Sequence, residues 1–324
     1  MVVVTGASGH LGSNLVRALL ARGDRVRVVV HNDASSLDGL DVERVPGDIT
    51  APATLAPAFA GADVVLHLAA LISVTGSQSG AVERMNVEGA RAAAKAAREA
   101  GVRRYVHVSS VHAWRHAPDL VLTEDCPRAG AGDPAYDRSK AAGEEQVREE
   151  VRAGLDAVIV NPSGVIGPYD YTPSRMGRSL LMLARGHMPA LVDGGFDWVD
   201  ARDVANSIIA AISRGRTGES YLLGGRWASI GELAGMIGRA RGRKPPSLTS
   251  PRWLTEGTAG LAEWAQRAVG VDPFFTSEAL HAVYNGSRHV NWAKAERELG
   301  HAARPLDATI HDTLRWFSDA GRLP

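Results

Sequence analysis

The stretch VVVTGASGHLG at residues 2–12 decides the fold class of this chain. Residues 2–5 are β-branched, and β-branched residues favour strands. They run directly into glycines at positions 6, 9 and 12, so three side chains are missing within one short stretch. Glycines that follow a strand this closely predict a tight turn into a helix.

The spacing of Gly6, Gly9 and Gly12, after a strand and before a helix, is typical of turns that bind the pyrophosphate of a dinucleotide. One glycine permits the bend, one lets backbone N–H groups approach the pyrophosphate, and one lets the helix pack closely on the strand. The N-terminus of the helix adds a favourable dipole and hydrogen-bond donors. The alternative interpretation is a glycine-rich turn that binds nothing.

Short apolar runs and alanine-rich helical segments alternate through the first half of the chain. The predicted strands cover residues 1–6, 25–30, 41–47, 63–70, 103–110 and 156–163, with helices predicted at 12–23 and 86–101 among others. Several strands lack polar alternation, as expected of strands that are covered on both faces. The pattern predicts the α/β class and a doubly wound parallel sheet, the Rossmann fold.

The same pattern predicts two unequal units. A dinucleotide-binding domain is expected at residues 1–163, with returning segments at about 197–225 that contain a helix at 197–215 and a strand at 219–225. We expect residues 164–196 and 226–324 to form a smaller substrate-binding lobe at the carboxyl edge of the sheet. Much of this lobe, at 168–195 and 226–310, looks irregular and contains a proline-rich break at 242–253.

Composition favours a small-molecule partner. Lys plus Arg and Asp plus Glu number 36 each among 324 residues, so there is no net charge to attract nucleic acid or anionic lipid. The single cysteine, Cys126, excludes an internal disulfide framework and fits a reducing compartment. No signal-peptide pattern is visible, and no apolar run approaches the ~18 residues of a membrane span. We therefore expect a cytoplasmic protein with neither a nucleic-acid nor a membrane partner.

Residues after the third and fourth strands fit a dinucleotide. Asp48 can accept a hydrogen bond from an adenine amino group, and Ile49 can pack on the ring. The fourth strand ends in small residues at 68–70, where the ligand must run close to the backbone.

The end of the second strand bears on the choice between NAD and NADP. An acid there would bind the ribose hydroxyls of NAD, but the strand ends in Val30, His31 and Asn32. His31 and Asn32 can both donate to a 2′-phosphate, which favours NADP and leaves NAD open. A solvated loop residue explains His31 equally well.

Tyr136 and Lys140 belong to a predicted helix at 133–151, with Asp133 as its N-cap and Pro134 in its first turn. Being four residues apart, the two side chains share one face of the helix. An adjacent ammonium and the cationic nicotinamide of the oxidised cofactor are expected to lower the phenol pKa from its usual value of about 10 and to favour phenolate. Because a lone Tyr-x-x-x-Lys is common by chance, a third residue must support this interpretation.

The third residue comes from the fifth strand, which ends in Ser109 and Ser110. The carboxyl edge of an open α/β sheet is where ligands bind, and a hydroxyl there can hold a substrate oxygen while the tyrosine exchanges its proton. The stretch lacks the G-x-S-x-G pattern of a nucleophilic serine. His112, two residues further on, fits either a wall of the pocket or the general base of a hydrolase.

Together these motifs resemble the extended short-chain dehydrogenase/reductases, the NAD-dependent epimerase/dehydratase family. The matching motifs are T-G-x-x-G-x-x-G at 5–12, D-I at 48–49, N-V-x-G at 86–89, Ser110, Y-x-x-x-K at 136–140, NPSGVIGP at 161–168 and the closing stretch at 295–317. The resemblance implies that Tyr136 is the catalytic acid/base, that Lys140 lowers its pKa and holds the nicotinamide ribose, and that Ser110 orients the substrate oxygen. It also implies a homodimer through the helix at 86–101 and the helix that carries Tyr136.

The residues expected to bind the dinucleotide are Gly6, Ser8, Gly9, His10, Leu11, Gly12, His31, Asn32, Asp48, Ile49, Leu68, Ala69, Ala70, Asn86, Ser109, Tyr136, Lys140, Pro162 and Ser163. Among them, Asn86 is expected to hold a water or the backbone near the site, and Pro162 and Ser163 to lie against the carboxamide. The residues expected against the substrate are Ser110, His112, Val165 and Met176. No metal site is expected.

Departures from the family patterns indicate to which branch of the family this chain is most similar. Sugar 4,6-dehydratases carry Thr-Asp-Glu where this chain has Ser-Val-His at 110–112, and eliminating water from a hexose needs that acid pair. Many nucleotide-sugar epimerases have an arginine where Phe196 stands, so a bidentate clamp on a substrate pyrophosphate is missing. Arg175, Arg178 and Arg202 are candidates to replace the clamp, or else surface ion pairs.

Apolar residues are dense in the expected lobe, at 179–192 and at the tryptophans 198, 227, 253 and 264. They form either core or a pocket for an apolar carbonyl compound. We therefore expect an NADP(H)-preferring reductase or dehydrogenase, resembling the dihydroflavonol-4-reductase-like branch, that interconverts a ketone or aldehyde and an alcohol. The alternatives are a nucleotide-sugar epimerase with tightly bound NAD and a redox sensor that binds NADP without chemistry.

Overall fold

The computed structural model describes residues 1–188, 190–268, 273 and 276–323, without the side chains of Ala265, Arg267 and Ala268. The remaining residues of the expected smaller lobe lie outside this description. The strands are β1 Val2–Thr5, β2 Val26–Val30, β3 Glu43–Pro46, β4 Val64–His67, β5 Arg104–Val108, β6 Val121–Leu122, β7 Ala157–Pro162, β8 Gly164–Ile166, β9 Leu191–Val192, β10 Gly195–Asp200, β11 Ser220–Leu223, β12 Arg226–Ser229, β13 Thr249–Ser250 and β14 His289–Val290.

The α-helices are α1 His10–Ala21, α2 Leu55–Phe59, α3 Ala81–Glu83, α4 Gly89–Glu99, α5 Ala135–Arg152, α6 Arg175–Arg185, α7 Ala201–Arg214, α8 Ile230–Arg241, α9 Arg252–Ala268, α10 Ser277–Asn285, α11 Ala293–Leu299 and α12 Leu306–Asp319. Short 3₁₀ turns cover Ser35–Leu37, Pro52–Thr54 and Val111–Ala113, and a π turn covers Arg84–Glu88.

Seven parallel strands form the main sheet in the order β3-β2-β1-β4-β5-β7-β11. The central strands are buried on both faces, and Val3, Val4, Val65 and Leu66 are fully inaccessible. Each such side chain contributes about 1.5–3 kcal/mol relative to an exposed one, which explains the runs without polar alternation. The strand order reverses between β1 and β4, and such a reversal opens a crevice at the carboxyl ends of the strands.

Helices cover both faces of this sheet, as the doubly wound prediction requires. On one face α1 and α7 share an apolar cluster that includes Leu15, Leu19 and Ile208. On the other face α4 contributes Ala93 and Ala97, whose small side chains let it approach the sheet and α5 closely. The predicted α/β class and doubly wound parallel sheet are confirmed.

A second unit combines a three-stranded sheet, in the order β12-β10-β8, with α6, α8 and α12. The expectation that residues 168–195 and 226–310 are irregular is wrong, because they contain α6 and α8 to α11. Glycines inside α8 and the shortness of α10 and α11 obscure the helical period in the sequence. Side-chain caps at Ser174, Ser229 and Thr276 start three of these helices.

Two details differ from the predicted division of the chain. Residues 197–200 belong to β10 in the second sheet, and α7 begins after Asp200, whose side chain accepts from the Arg202 N–H. Ala295 and Leu299 of α11 join the apolar cluster of the main sheet, although they fall within the expected lobe. Among the described residues, no helix is both long and apolar enough to cross a membrane.

The predicted N-cap of α5 is also wrong. Pro134 occupies the cap position, and the helix begins at Ala135. The Asp133 carboxylate instead accepts from the Gly130 N–H at 2.7 Å and pairs with Arg115 at 3.2 Å. The acid therefore closes the preceding turn, and its side chain is not available to the helix.

Candidate active site

The glycine turn connects β1 to α1 at the reversal of strand order. Gly6 has φ of +69°, and a Cβ there would lie 2.7 Å from the backbone nitrogen of Ala69. A Cβ on Gly12 would lie 2.2 Å from the Gly6 carbonyl oxygen. The protein's own packing therefore requires glycine at positions 6 and 12.

Gly9 is different, because its φ is −71° and a Cβ would come no closer than 3.4 Å to the protein. Gly9 occupies the N-cap position of α1, where the first N–H groups of a helix have no intrahelical partners. The absence of a side chain there suits the close approach of an anionic group to these donors. The cradle thus fits the pyrophosphate of a dinucleotide.

A cavity of about 510 Å³ extends from this turn, past the carboxyl ends of β4, β5 and β7, into the second unit. The predicted site residues that line it are Gly6, Gly9, His10, Leu11, Gly12, Leu68, Ala70, Ser109, Ser110, His112, Tyr136, Lys140, Pro162, Ser163, Val165 and Met176. Most of the predicted constellation therefore shares one cavity. Sequence reasoning missed the part of the far wall that α10 contributes with Leu280 and Val283, whereas Trp198 of β10, considered for core or pocket, lines the cavity beside Phe196.

The remaining predicted cofactor residues do not belong to the described lining of the cavity: Ser8, His31, Asn32, Asp48, Ile49, Ala69 and Asn86. The His31 imidazole lies 3.3 Å from the Asp48 carboxylate, which also accepts two hydrogen bonds from Thr50. Ile49 is buried and packs against Gly89 of α4, where a Cβ would lie 2.8 Å from it. Contact of His31, Asp48 and Ile49 with an adenosine stays a prediction.

Asn86 connects two elements behind the site. Its amide donates to the Leu71 carbonyl and to Ser139 Oγ, both at 2.9 Å, and its carbonyl accepts from the Leu71 N–H at 2.7 Å. It lies in the π turn before α4. The side chain therefore holds backbone after β4 against α5, which agrees with the backbone-holding role named for it.

Tyr136 and Lys140 lie in the first two turns of α5 beside the end of β5. Lys140 is only 4% exposed, and its Nζ donates to the Val108 carbonyl at 3.3 Å. Burial lowers the pKa of Lys140 to about 8, against the opposing effect of Glu144. A lysine with this pKa is close to half-charged at mildly alkaline pH.

The pKa of Tyr136 is raised well above its usual value, chiefly by burial and then by the Asp137 carboxylate. A hydrogen bond with Ser110 opposes this shift. Without a bound cofactor, Lys140 therefore does not lower the pKa of Tyr136 as expected, because its ammonium donates to the Val108 carbonyl. Tyr136 is protonated at neutral pH and is available as a proton donor.

His112 and Asp137 form an ion pair on the flank of Tyr136. His112 Nδ1 lies 3.1 Å from Asp137, and the imidazole meets the tyrosine ring edge-on at 5.7 Å between centroids. Although burial alone would lower the pKa of His112, Asp137 raises it overall. Ser110 Oγ accepts from the backbone N–H of His112, so the serine–histidine contact is made through the backbone. This geometry favours His112 as a wall residue of the pocket over His112 as the general base of a hydrolase.

A buried network that sequence reasoning missed positions Ser110. Glu144, fully inaccessible, accepts from Asn161 Nδ2 at 2.6 Å and pairs with Arg128 and Arg148. Asn161 also donates to the Ser110 carbonyl at 3.0 Å. The only signals available in the sequence were the position of Glu144 one turn after Lys140 and the asparagine within NPSGVIGP.

His116 supports the same loop and gives a pH-dependent stability. Burial lowers its pKa to about 4, the His112 cation acts in the same direction, and Asp137 and Asp133 oppose them. The unfolded chain, with a histidine pKa of about 6.5, therefore binds more protons between pH 6.5 and 4, and stability falls as pH falls through this window. Acidification from pH 6.5 to 5 should lower the free energy of unfolding of the wild type by ~2 kcal/mol more than that of His116→Asn, at about 1.4 kcal/mol per pH unit.

The measurement is urea unfolding of the wild type and His116→Asn at both pH values. His187→Asn serves as the control, because His187 is an exposed surface residue. An equal loss of stability on acidification in wild type and His116→Asn would contradict the assignment.

The arginines considered as a pyrophosphate clamp already have protein partners. Arg202 bonds Asp200 at 2.7 Å and Asp312 at 2.8 Å, and Arg175 Nη1, on the cavity wall, donates to the Pro273 carbonyl at 3.1 Å. Phe196 packs edge-on against Trp198 at 5.4 Å between centroids. The region that holds the clamp in many epimerases is thus apolar here.

Comparison with known proteins agrees with these motifs. The model of the NAD dependent epimerase/dehydratase family matches residues 2–224. The chain is 37% identical to the sterol demethylase protein B of Methylococcus capsulatus over 99% of both chains. It is 31% identical to a putative dihydroflavonol 4-reductase of Synechocystis sp., over 98% of this chain and 94% of that protein. The crystal structure of gox2253 has a TM-score of 0.86 and 35% identity, covering 100% of this chain and 99% of its own.

The full-length coverage extends the match beyond the glycine turn to the second unit. These relatives cover both the main sheet and the second unit of this chain. The chain therefore belongs to the NAD-dependent epimerase/dehydratase family and is an NAD(P)-dependent oxidoreductase of the extended short-chain dehydrogenase/reductase type.

Proposed function

We propose that this protein reduces the carbonyl group of an apolar ketone or aldehyde to an alcohol, and catalyses the reverse oxidation, with NADP(H) as its preferred cofactor. The observation that carries the proposal is the position of Tyr136 and Ser110 in a cavity whose far wall is apolar. That wall includes Met176, Leu183 and Phe196. The relation to a protein named for sterols and to one named a reductase agrees with this substrate class.

When bound, the nicotinamide supplies the hydride that adds to the carbonyl carbon. The Tyr136 hydroxyl then gives its proton to the carbonyl oxygen, so that the C=O group becomes CH–OH and the phenolate remains. The Ser110 hydroxyl holds the same oxygen in hydrogen-bonding distance of Tyr136. Lys140, whose ammonium bonds the Val108 carbonyl in the protein alone, would turn toward Tyr136 to stabilise the phenolate until a proton from solvent restores it.

With its pKa raised by burial, Tyr136 keeps its proton at neutral pH, which is the form that protonates a carbonyl oxygen. A phenol that keeps its proton at neutral pH is ready to donate it, whereas oxidation first requires its removal. The Asp137 carboxylate contributes to this protonation, because it raises the pKa of Tyr136 and also that of His112.

The preference for NADP rests on the end of β2. His31 is more than half exposed and lies beside Asp48, so its imidazole is accessible at the adenosine end of the cradle. The carboxylate of Asp33 is occupied by the N–H and hydroxyl of Ser35. A 2′-phosphate would therefore meet Asn32 and His31, the latter together with its partner Asp48.

The proposal further includes a cytoplasmic location, which the single cysteine favours, and a homodimer through α4 and α5, which the family resemblance implies.

The test is a spectrophotometric screen of purified protein with NADPH and NADH in parallel, across steroid ketones, aromatic ketones, long-chain aldehydes and nucleotide sugars. We expect oxidation of NADPH by an apolar carbonyl compound, with at least a roughly tenfold preference over NADH, as expected of a phosphate-specific contact of ~1.4 kcal/mol. Clear preference for NADH would defeat the cofactor assignment alone.

The nucleotide-sugar epimerase is distinguished in the same experiment. An epimerase retains NAD through its cycle and converts a sugar nucleotide without net oxidation of added cofactor. Protein that purifies with NAD it cannot exchange, and that epimerises a nucleotide sugar, would contradict the proposed reduction.

A further inference from the structure

Helix α9 presents an apolar face to solvent. Trp253 is 73% exposed, Leu261 68% and Trp264 67%. At 100° per residue, Trp253 and Trp264 differ by about 20° around the helix axis and Leu261 lies about 80° away, so the three share one face. Leu254 on α9 and Leu248 just before it are exposed as well.

The opposite face of α9 is made of small residues. Ala259 is buried and packs with Leu280 and Tyr284 of α10, and Thr255 makes a hydrogen bond with the Tyr284 hydroxyl. The large apolar side chains of this helix therefore point outward and the small ones inward, the reverse of an ordinary surface helix. This explains why two of the tryptophans considered for core or pocket belong to neither.

The exposed face is large for a monomer. Five apolar side chains of this size expose on the order of 600 Å², at ~150–250 Å² per large aromatic residue and the observed exposures. Apolar patches of roughly this size commonly mark a binding surface. The patch is therefore a candidate binding surface.

Charge indicates which occupant. Between Glu232 and Glu256 the chain carries five basic residues and no acidic one: Arg239, Arg241, Arg243, Lys244 and Arg252. Arg239 and Arg252 have ion pairs with Asp307 and Glu256, while Arg243 and Lys244 are exposed on the loop that leads to α9. A basic segment beside exposed tryptophan and leucine complements anionic lipid headgroups and the apolar layer beneath them.

A second copy of the chain fits this surface less well. Residues 239–264 carry five basic residues against two acids, Glu256 and Glu263, so pairing the apolar face with itself would bring two net positive surfaces together. Helix α9 also packs on α10, whose Leu280 and Val283 line the cavity, so the exposed face lies on the outer side of an element of the cavity wall.

We propose that the basic loop and the exposed face of α9, residues 239–264, bind the surface of an anionic lipid bilayer. The expectation of no membrane partner was based on net charge and on the lack of a membrane-spanning run, and it does not apply to a helix that lies in the interface. The binding goes beyond the proposed carbonyl reduction and is independent of it.

The test is co-sedimentation of the full chain with phosphatidylglycerol-containing vesicles and with vesicles of phosphatidylcholine alone. We expect binding to the anionic vesicles and at least a roughly tenfold weaker affinity for the doubly substituted Trp253→Ser, Trp264→Ser, since two interfacial aromatics are lost. Arg243→Gln with Lys244→Gln should weaken binding to anionic vesicles and reduce its salt dependence. Val121→Ser, at an exposed apolar residue on β6, is the matched control and should bind as the wild type does.

Three results would overturn the proposal. They are no binding of the wild type to anionic vesicles, equal binding by the tryptophan variant, and self-association in light scattering that the tryptophan variant abolishes while vesicles bind neither protein. Because vesicle binding is read without substrate or cofactor, failure here leaves the proposed reduction intact, and failure of the carbonyl screen leaves this surface intact.

Discussion

Replacing Tyr136 by phenylalanine is expected to lower turnover by at least ~10²-fold, the scale of a lost proton transfer. The variant removes one hydroxyl and keeps the ring that packs against His112. Cofactor affinity should be unchanged, because the glycine turn and Lys140 are untouched. The measurement is kcat for the best substrate of the carbonyl screen, together with a fluorescence titration with NADPH.

Tyr105→Phe is the matched control. Tyr105 is fully buried on β5, and its hydroxyl has no hydrogen-bond partner among the residues that the structure describes. The same chemical change there should leave turnover at the wild-type level. Near-normal turnover of Tyr136→Phe would remove the proposed proton transfer, and a parallel loss in Tyr105→Phe would show that the effect is structural.

Gly12→Ala is expected to weaken dinucleotide binding by roughly 10- to 100-fold, because forcing one methyl group into a filled space costs ~1–3 kcal/mol. The added Cβ would lie 2.2 Å from the Gly6 carbonyl oxygen and within 2.7 Å of Ala7. The backbone must move, and the turn that holds the pyrophosphate moves with it. Titration with NADPH and thermal unfolding measure the two effects separately.

Two further alanine variants separate steric damage from ligand contact. Gly9→Ala meets nothing closer than 3.4 Å in the protein, so it should keep its thermal stability and still lose affinity if the pyrophosphate approaches this position. Gly235→Ala on α8 meets only the end of the flexible Arg239 side chain, at 3.7 Å, and should change neither quantity. Normal NADPH affinity in both Gly12→Ala and Gly9→Ala would contradict a dinucleotide site at this turn.

Local patterns in the chain determined the main sheet. Strands buried on both faces leave continuous apolar runs, such as residues 2–5 and 64–67, and the glycine turn follows from backbone sterics within one short segment. The same locality made Tyr136 and Lys140 recognisable, since a spacing of four places two residues on one helix face. These predictions needed no knowledge of distant contacts.

The pKa values in the site required the tertiary structure. Burial controls the pKa of both Tyr136 and Lys140, and burial is produced by elements far away in the chain. The direction of the Lys140 ammonium toward the Val108 carbonyl could not be read from a helical spacing. The spacing of Tyr136 and Lys140 in the sequence does not reveal the burial that raises the pKa of Tyr136 in the protein without its cofactor.

The sequence by itself determined the fold class, the family and the chemical groups at the end of β5, because each depends on residues close together in the chain. Only the tertiary structure decided that α10 and β10 close the cavity, that Glu144 and Asn161 hold Ser110, and that the tryptophans of α9 face outward. The physical reason is that burial and contact between distant segments depend on how helices pack, whereas strand runs and glycine turns are set by the local conformational preferences of the backbone.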